Sequence, residues 1–513
     1  MKKLLCLMLV VLLCAAMFAA CTDNGDTDES KADQSTPTQS ENSENQSKEV
    51  SDTSNPDDDP YLGQDGIYRI TNQIIDWEER EFAVIVRGVG AGTYQSDDFT
   101  TGSELYGDTL DNAVTQRNQV IEEKYNVKIK VYKSDLTGSD PILSNIRSAI
   151  ESGLNTYDAV MPAIPGLTVL ALEGGLYDLT QFDYINLDAP WYDKDANETF
   201  SIGNKLFFTT GDITILNKVC SISMLFNKQL IETYGLDNPY DLVKEHKWTY
   251  DKVIQMAKAV TKDTDGEAGM STKDTWGMLA AHMDALNFYG AAGQKLCLKD
   301  SDDFPYLAFG DETTFTIAQK IINDMIEAGT WVVYAQDFED PIWVTSLDAF
   351  KEGRILFRPS GFSATTKLRL AGTDFGIVPM PLWNENQDEY YTFCGTGEVA
   401  GVAIPACAAD PEFSAYMIEA ISCESKNYIT PAYVEINLKG KDVQDDESLE
   451  MLNIIFANIT YDTGEIYRFG GINTLFADLV KNKQNTLRSE YDSRLNKIED
   501  AIDELIDSYL SQN

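Results

Sequence analysis

The chain has 513 residues, of which 83 are Asp or Glu and 40 are Lys or Arg, so its formal net charge is −43. So acidic a surface repels phosphate backbones and anionic lipid headgroups, which argues against nucleic-acid binding and against adhesion to anionic membranes. Hydrophobic residues make up 43% of the chain, and this length predicts two or three domains or two large lobes. Only two histidines are present, so no His/Cys zinc site is expected.

The N-terminus has the pattern of a secretion signal. Two lysines precede an apolar run at residues 4–20, and small residues lead into Cys21 in "FAAC". The pattern resembles a bacterial lipobox, although Phe18 stands where leucine is usual. We therefore predict a signal peptide over residues 1–20 and lipidation (palmitate) at Cys21. An ordinary signal peptide or an uncleaved anchor is the alternative.

The next segment has the composition of a disordered tether. Residues 22–59 contain no Leu, Ile, Phe, Tyr or Trp and are rich in Ser, Thr, Asn, Gln, Asp and Glu. Such a segment cannot bury enough apolar surface to offset the entropy lost on ordering. We predict a lipidated, acidic tether over residues 21–65 that holds the folded part away from the membrane.

Five cysteines follow the tether, and none lies in a C-x-x-C motif. We expect most of them to be buried and to act as small hydrophobic residues. The sequence does not decide whether two of them form a disulfide. They are Cys220, Cys297, Cys394, Cys407 and Cys423.

From residue 80 onward, short apolar runs alternate with helical patterns. Strands are predicted at residues 80–88, 127–134 and 157–165, and helices at 107–126, 140–153 and 167–182. This order predicts an α/β fold with a largely parallel sheet and helices on both faces, in which ligands bind beyond the carboxyl ends of the strands. Later strands are predicted at 374–383 and 397–405, and an amphipathic helix at 487–509.

Several stretches together carry a family resemblance. They are the lipoprotein start, "YDAVMPAIP" with "LEGGLYDLTQF", "KLFFTTGDI" with "SMLFNKQLIETYGLDNP", "KWTYDKVIQMAKAV", and "FKEGRILFRPSG" with "FGIVPMP". The chain resembles the extracellular solute-binding proteins of bacterial ABC importers, and more narrowly the carbohydrate-type family 1. No single motif is strict, but their order and spacing extend from Gly66 to Asn513.

The resemblance implies a two-lobed, periplasmic-binding-protein-like fold of the class II type, with a hinge between the lobes. Each lobe would be a sheet flanked by helices. Lobe 1 would comprise residues 66–213 plus 357–405, and lobe 2 residues 214–356 plus 406–513. The chain would cross between lobes near residues 210–215, 356–360 and 404–408.

The resemblance also implies the function. The protein would capture an extracellular sugar or oligosaccharide by hinge closure and deliver it to an ABC permease, as a monomer without catalysis or a required cofactor. A peptide or other polar solute is the close alternative, and a surface-anchored hydrolase with a carboxylate pair is the distant one. Sugar sites combine aromatic platforms with polar groups. On that basis the candidate contacts at loops and crossovers are Arg87, Asp212, Asn217, Trp343, Phe362 and Trp383.

The stretch "KDTDGEAGMSTKDTWG" at residues 262–277 has the spacing of a calcium-binding loop. Calcium takes six to eight oxygen ligands, which alternate along such a loop. Ala268 stands where glycine makes the sharp turn, and the last ligand is an aspartate instead of a glutamate. A structural Ca²⁺ remote from the solute is one interpretation, and a polar surface turn is the other. The candidate ligands are Asp263, Asp265, Glu267, the Gly269 carbonyl, Ser271 and Asp274.

Overall fold

The computed structural model describes residues 59–134, 142–327, 330–438 and 446–511. The predicted signal peptide, Cys21 and the tether up to residue 58 lie outside these ranges. All described residues belong to one compact unit. Within those ranges, no helix combines the length and apolar character needed to cross a bilayer.

The folded part begins earlier than the predicted end of the tether. The ring of Tyr61 packs edge-on against Trp191, with ring centroids 5.1 Å apart, and Leu62 pairs with Tyr68 in an isolated β-bridge. The prediction of a tether is therefore wrong for residues 59–65. This short stretch has the aromatic side chain that the preceding residues lack, and the ring covers apolar surface of the folded part.

The strands are short and mostly buried. In chain order they are β1 (Arg80–Arg87), β2 (Val127–Ser134), β3 (Ala159–Met161), β4 (Ser223–Asn227), β5 (Trp276–Ala280), β6 (Cys297–Lys299), β7 (Pro305–Leu307), β8 (Val332–Tyr334), β9 (Ile355–Ser360), β10 (Phe375–Pro379), β11 (Thr392–Phe393) and β12 (Ile459–Thr460).

The helices follow the strands in α/β order through most of the chain. They are α1 (Gly107–Tyr125), α2 (Leu143–Ser152), α3 (Ile164–Leu172), α4 (Lys194–Phe200), α5 (Leu216–Cys220), α6 (Lys228–Tyr234), α7 (Pro239–Lys244), α8 (Tyr250–Val260), α9 (Asp284–Ala291), α10 (Glu312–Ile326), α11 (Ile342–Lys351), α12 (Phe362–Leu370), α13 (Pro411–Leu438), α14 (Asp446–Ala457), α15 (Thr463–Tyr467), α16 (Leu475–Asn482) and α17 (Leu487–Ser511). Short 3₁₀ turns lie at Val89–Tyr94, Leu179–Gln181, Ala335–Asp337 and Phe469–Thr474.

The sheet of lobe 1 is parallel at its centre. Its strands have the order β2-β1-β3 and run parallel. Beside β3, residues 400–403 run antiparallel, with Val160 opposite Ala403, and Thr209 pairs with Val402 on their far side. The strand predicted at 397–405 therefore joins this sheet through isolated bridges.

The sheet of lobe 2 has the order β10-β4-β9-β5-β8. β9, β5 and β8 are parallel, whereas β4 is antiparallel to both of its neighbours. Each sheet therefore has an antiparallel neighbour next to its parallel strands: residues 400–403 beside β3 in lobe 1, and β4 beside β9 in lobe 2. The assignment of residues 357–405 to lobe 1 is wrong for residues 357–379, because β9 and β10 both pair with β4.

The segments that cross between the lobes pair with one another. The N–H of Ile222 donates to the carbonyl of Phe393 at 3.0 Å, and the N–H of Cys394 donates to the carbonyl of Thr460 at 3.0 Å. The predicted crossovers near residues 356–360 and 404–408 are both wrong. The chain returns to lobe 1 only after β10. The start of α13, predicted to belong to lobe 2, packs on lobe 1, with Phe413 against Phe82 and Tyr416 against Tyr125. The observed hinge consists of the stretches around residues 214–222, 392–398 and 458–462.

The C-terminal helix has the predicted buried face. Leu487, Tyr491, Ile498, Ile502, Leu505 and Tyr509 are buried along α17. The ring of Tyr491 packs on Phe309 at 5.4 Å, and that of Tyr509 packs on Phe207 at 5.1 Å. Because Phe309 belongs to lobe 2 and Phe207 precedes the first crossing, α17 contacts segments of both lobes.

We predict that Phe357→Ala lowers the free energy of unfolding by about 3–5 kcal/mol, because it leaves a cavity in the centre of the sheet of lobe 2. Phe357 is fully buried in β9 and packs edge-on against Trp248 at 5.5 Å. Urea unfolding followed by tryptophan fluorescence measures the change. Leu370→Ala is the control, because Leu370 is 69% exposed and its truncation should cost under about 0.5 kcal/mol. Equal effects of the two variants would contradict this packing.

Candidate functional site

The carboxyl ends of the parallel strands form one edge of each sheet. β1 and β3 of lobe 1, and β5, β8 and β9 of lobe 2, are each followed by a helix that starts at this edge. We call these strand ends, together with the residues that follow them, the cleft. Ligands of open α/β sheets bind at such edges, so the topology alone makes the cleft the first candidate site.

Contacts between lobes lie at the base of the cleft. The hydroxyl of Tyr94, in the turn after β1, lies 3.4 Å from the hydroxyl of Ser363 in α12. The N–H of Ile215, in the first crossing segment, donates to the carboxylate of Asp98 at 2.7 Å. Burial raises the pKa of the Tyr94 hydroxyl and of the Cys220 thiol, and the Glu398 carboxylate raises both further. Side chains from lobe 1, lobe 2 and the hinge therefore meet at this point.

Arg87 is at the cleft, as predicted, but its guanidinium is occupied by protein groups. The side chain is only 6% exposed, and its Nη1 donates to the Glu398 carbonyl at 2.7 Å. Its Nη2 forms an ion pair with the Glu398 carboxylate, whose side chain is 46% exposed. Arg87 thus positions Glu398, and the glutamate presents the polar group to solvent. Glu398 was not among the contacts predicted from the sequence, although its position in the glycine-rich stretch "GTGEVAG" was an available signal.

Exposed apolar side chains follow the strand ends on both sides of the cleft. Trp343 and Val344 lie in the first turn of α11, Met283 follows β5, and Val89 follows β1; each is more than half exposed. Single exposed apolar side chains are common on protein surfaces, whereas several at one edge are typical of a binding site. Of the aromatic candidates from the sequence, Trp343 is the one with an exposed ring at this edge.

Asp212 and Asn217 are brought together at the hinge, in a cavity of about 320 Å³. The Asp212 carboxylate accepts from Lys218 at 2.9 Å, from Lys426 at 3.3 Å and from Thr430 at 2.6 Å. Burial would raise the pKa of Asp212, but the two ammonium groups outweigh it and lower the pKa. The carboxylate is therefore ionised and fully engaged by protein groups.

The other two aromatic candidates are less exposed than Trp343. Phe362 is fully buried and its ring packs on Phe456 at 4.9 Å. Trp383 stacks on Tyr250 at 5.4 Å with 27° between the ring planes. Phe362 thus has no exposed ring face, whereas Trp383 is half-buried, with one ring face covered by Tyr250.

Three carboxylates of the predicted calcium loop converge. The carboxylate oxygens of Asp263, Asp265 and Asp274 lie within 4.8 Å of one another, which fits a hard cation. However, Asp274 already accepts the N–H groups of Thr264 and Ser271, each at 2.7 Å. Because both of its oxygens already accept backbone hydrogen bonds, Asp274 is poorly suited to bidentate coordination of a cation.

The remaining predicted ligands differ in their surroundings. The Ser271 hydroxyl donates to Asp265 at 2.8 Å, and the Glu267 carboxylate lies 3.7 Å from Lys273. The Gly269 backbone has a φ of +94°, which suits a tight loop. The whole loop precedes β5, so it lies at the end of that strand opposite the cleft.

A buried glutamate lies beside the hinge cavity. Glu419 of α13 is 1% exposed, and its Oε2 accepts from the Tyr192 hydroxyl at 2.7 Å and from Trp191 Nε1 at 3.3 Å. Burial raises its pKa from an ordinary 4.5 to about 7, although these donors oppose the increase. Ionising this side chain therefore destabilises the folded state.

Comparison with known proteins identifies the family. The profile of the bacterial extracellular solute-binding protein family matches residues 102–417, which is more than half of the 513 residues. The chain therefore belongs to this family of solute-binding proteins. A comparison with curated protein sequences finds no match.

Solved structures share the fold at low sequence identity. A cyclo/maltodextrin-binding protein complexed with maltotetraose has a TM-score of 0.55 and 16% identity, and the match covers 83% of this chain and 98% of that one. An extracellular solute-binding protein from Staphylococcus aureus in complex with maltose has a TM-score of 0.55 and 14% identity, with the same coverage of 83% and 98%. The galacto-N-biose/lacto-N-biose I-binding protein of an ABC transporter from Bifidobacterium longum has a TM-score of 0.54 and 13% identity, over 84% and 98%. These matches confirm the two-lobed α/β fold.

We predict that Glu419→Gln stabilises the protein at pH 8 and has little effect near pH 4.5. The folded-state pKa is raised, so the destabilisation is absent below the unfolded pKa of 4.5 and complete above about 7. Gln keeps an oxygen for the converging donors and removes the charge, which should gain roughly 1–3 kcal/mol at pH 8. Urea unfolding at both pH values measures this. Glu435→Gln, at an exposed position on the same helix, is the control, and a gain that is independent of pH would contradict the assignment.

Proposed function

We propose that the protein is the substrate-binding lipoprotein of an ABC importer, which captures an extracellular sugar or oligosaccharide between its lobes. The proposal rests on two exposed groups at the same cleft. Trp343 presents an aromatic ring on the lobe 2 side, and the Glu398 carboxylate is half exposed at the hinge side. Family membership supports the solute-binding role, and the sugar ligands named for the similar structures support the solute class.

The chemistry of the cleft suits a saccharide. Sugar rings have apolar faces that stack on aromatic side chains, and their hydroxyl rims donate hydrogen bonds. Trp343 supplies such a platform, with Met283 and Val89 as further apolar surface. One side of the Glu398 carboxylate is paired with the Arg87 guanidinium, and the half-exposed remainder can accept charge-assisted hydrogen bonds from sugar hydroxyls. The alternative solute is a peptide or another polar molecule. A binding panel that includes both saccharides and peptides distinguishes the two.

Hinge closure would couple binding to delivery. The cleft is bounded by both lobes, and the Tyr94–Ser363 contact joins them directly. A solute that contacts both lobes binds the closed form more tightly and so shifts the population toward it. The closed form would then dock on the permease. We further propose that Cys21 is acylated after cleavage of residues 1–20, so that the monomeric protein is held at the extracellular face of the membrane.

We propose, separately, that the loop at residues 263–274 binds one structural Ca²⁺ through its three converging carboxylates. The ion would stabilise this loop of lobe 2 and would not contact the solute, because the loop lies opposite the cleft.

We expect Trp343→Ala to weaken saccharide binding about tenfold, because it removes the aromatic platform. A thermal-shift screen across mono- and oligosaccharides selects the ligand, and calorimetry then gives the dissociation constants. Tyr306→Ala is the matched control, because Tyr306 is an aromatic residue of similar exposure (45%) on β7. If no saccharide shifts the melting temperature while a peptide does, the sugar assignment fails. Multiple turnover of any glycan would contradict a purely binding role.

For the calcium loop, we expect a single binding event in calorimetry, with a dissociation constant in the range of about 0.1–1 mM that is usual for extracellular modules. Asp263→Asn with Asp265→Asn should abolish the heat and leave solute affinity unchanged. Asp251→Asn, on the exposed surface of the preceding helix, is the control. If Ca²⁺ gives no heat and no shift in melting temperature, the loop is a polar turn organised by Asp274 alone.

A further inference from the structure

Residues 395–398 of the hinge lie directly beyond the carboxyl ends of β1 and β3, and we call them the hinge strip. Immediately after the strip, the carbonyl of Val399 accepts the N–H of Ile164, which begins the helix after β3, at 2.9 Å. Arg87, the last residue of β1, donates to the carbonyl of Glu398 at 2.7 Å. Backbone hydrogen bonds therefore hold the strip at the base of the cleft.

Side chains that alternate with the two glycines of the strip point into the protein. The Cys394 thiol donates to a carbonyl of α5 at 3.4 Å, and the Thr396 hydroxyl donates to the Glu465 carboxylate. Cys394 and Thr396 are fully buried. Gly395 and Gly397 alternate with them along the chain and therefore face the other way, toward the cleft. Gly397 is exposed and Gly395 is partly exposed.

The fold itself requires neither glycine. Neither Gly395 nor Gly397 has a positive φ, and a Cβ atom added at either position would meet nothing within 4 Å. Gly401, a few residues further on, differs, because its added Cβ would lie 2.6 Å from Leu167. Glycine costs conformational entropy on folding and usually serves a left-handed turn or the close approach of another group. The open space beside Gly395 and Gly397 suits a ligand that approaches the backbone closely.

The hydrogen-bond donors at the strip are unpaired. Among the residues that the structure describes, no group accepts the N–H of Gly395, Gly397 or Glu398. The Nε of Arg87 also has no partner there, although the side chain is only 6% exposed and both of its Nη atoms contact Glu398. Unpaired donors cost free energy once water is excluded. Four of them at one short stretch indicate a site for the oxygen atoms of a ligand.

The half-exposed Glu398 carboxylate beside these donors decides the kind of oxygen. A carboxylate or phosphate group of a ligand would be repelled by Glu398, whereas a hydroxyl group accepts from an N–H and also donates to a carboxylate. Two hydroxyl groups on neighbouring carbons of a sugar ring offer both functions side by side.

We propose that the hinge strip binds the terminal ring of a saccharide edge-on, with two neighbouring hydroxyl groups between the backbone N–H groups and the Glu398 carboxylate. This inference rests on the proposed function, and it names the part of the sugar that is recognised. The rest of the saccharide extends from the hinge toward Trp343. Trp343 follows β8, the edge strand of the lobe 2 sheet, and the hinge joins that sheet at β4 and β10, on its other side.

The first test changes the strip. A thermal-shift panel of maltose, maltotetraose, lacto-N-biose and gluco, galacto, manno and xylo disaccharides selects the ligand, and calorimetry on the full chain gives its dissociation constant. G397A and G395A/G397A should each weaken binding at least fivefold, because the added methyl groups occupy the space of the ring. Without saccharide, their melting temperatures should be unchanged or higher, because alanine at an ordinary φ restricts the unfolded chain.

The matched control is A406V, which adds two methyl groups to an exposed alanine. Residues 400–405 run antiparallel to β3, so Ala406 lies at the end of the sheet away from the cleft. This variant should change the dissociation constant by less than twofold.

The second test changes the sugar. Monodeoxy analogues of the selected saccharide, each lacking one hydroxyl group of the terminal ring, should identify two neighbouring positions whose loss weakens binding at least fivefold in the wild type. The same analogues should lose less relative to the parent sugar in G397A, where that ring is already displaced.

A smaller loss in G395A/G397A, a lowered melting temperature of the glycine variants, or indifference to every hydroxyl group of the terminal ring overturns the inference. The proposed function survives each of these results, because the wild-type protein still binds the saccharide. If no saccharide of the panel binds while a peptide does, both fail.

Discussion

The backbone hydrogen bonds between the crossing segments are the interaction on which the rest of the structure depends. Ile222 pairs with Phe393, and Cys394 pairs with Thr460, so the stretches that join the lobes lie side by side as a small sheet. Their register fixes which ends of the two larger sheets face each other. The Glu398 carboxylate, only four residues beyond Cys394, is carried to the cleft by this pairing. Arg87 then holds it there from lobe 1.

The carboxylates at the hinge and at the cleft differ in how completely protein groups pair with them. At the hinge, Asp212 is enclosed by Lys218, Lys426 and Thr430, so the carboxylate serves the fold. Breaking such a buried cluster is costly, because it leaves an uncompensated charge. At the cleft, Glu398 is compensated on one side only and stays half exposed. A residue of the same chemical class is therefore structural in one place and available to a solute in the other.

Local sequence patterns were sufficient for most elements and insufficient for their assembly. The apolar runs and amphipathic spacing predicted β1, α1, β2 and α17 almost to the residue, because these depend on periodicity within one segment. The lobe boundary failed at residues 357–379, because the pairing of β10 with β4 joins segments about 150 residues apart. The site residues were likewise predictable only where they depended on local sequence. Trp343 was found by composition and loop position, whereas Glu398 and the role of Arg87 required knowing which crossing segment lies beside β1.

The five cysteines of the folded part also have a practical consequence. Cys220, Cys297, Cys394, Cys407 and Cys423 are all free and buried, and burial raises the pKa of each thiol. Thiolates are the reactive species, so maleimide dyes should not react with these buried thiols. A single cysteine introduced on each lobe would then take a fluorophore selectively, and energy transfer between the two dyes would follow the opening angle in real time.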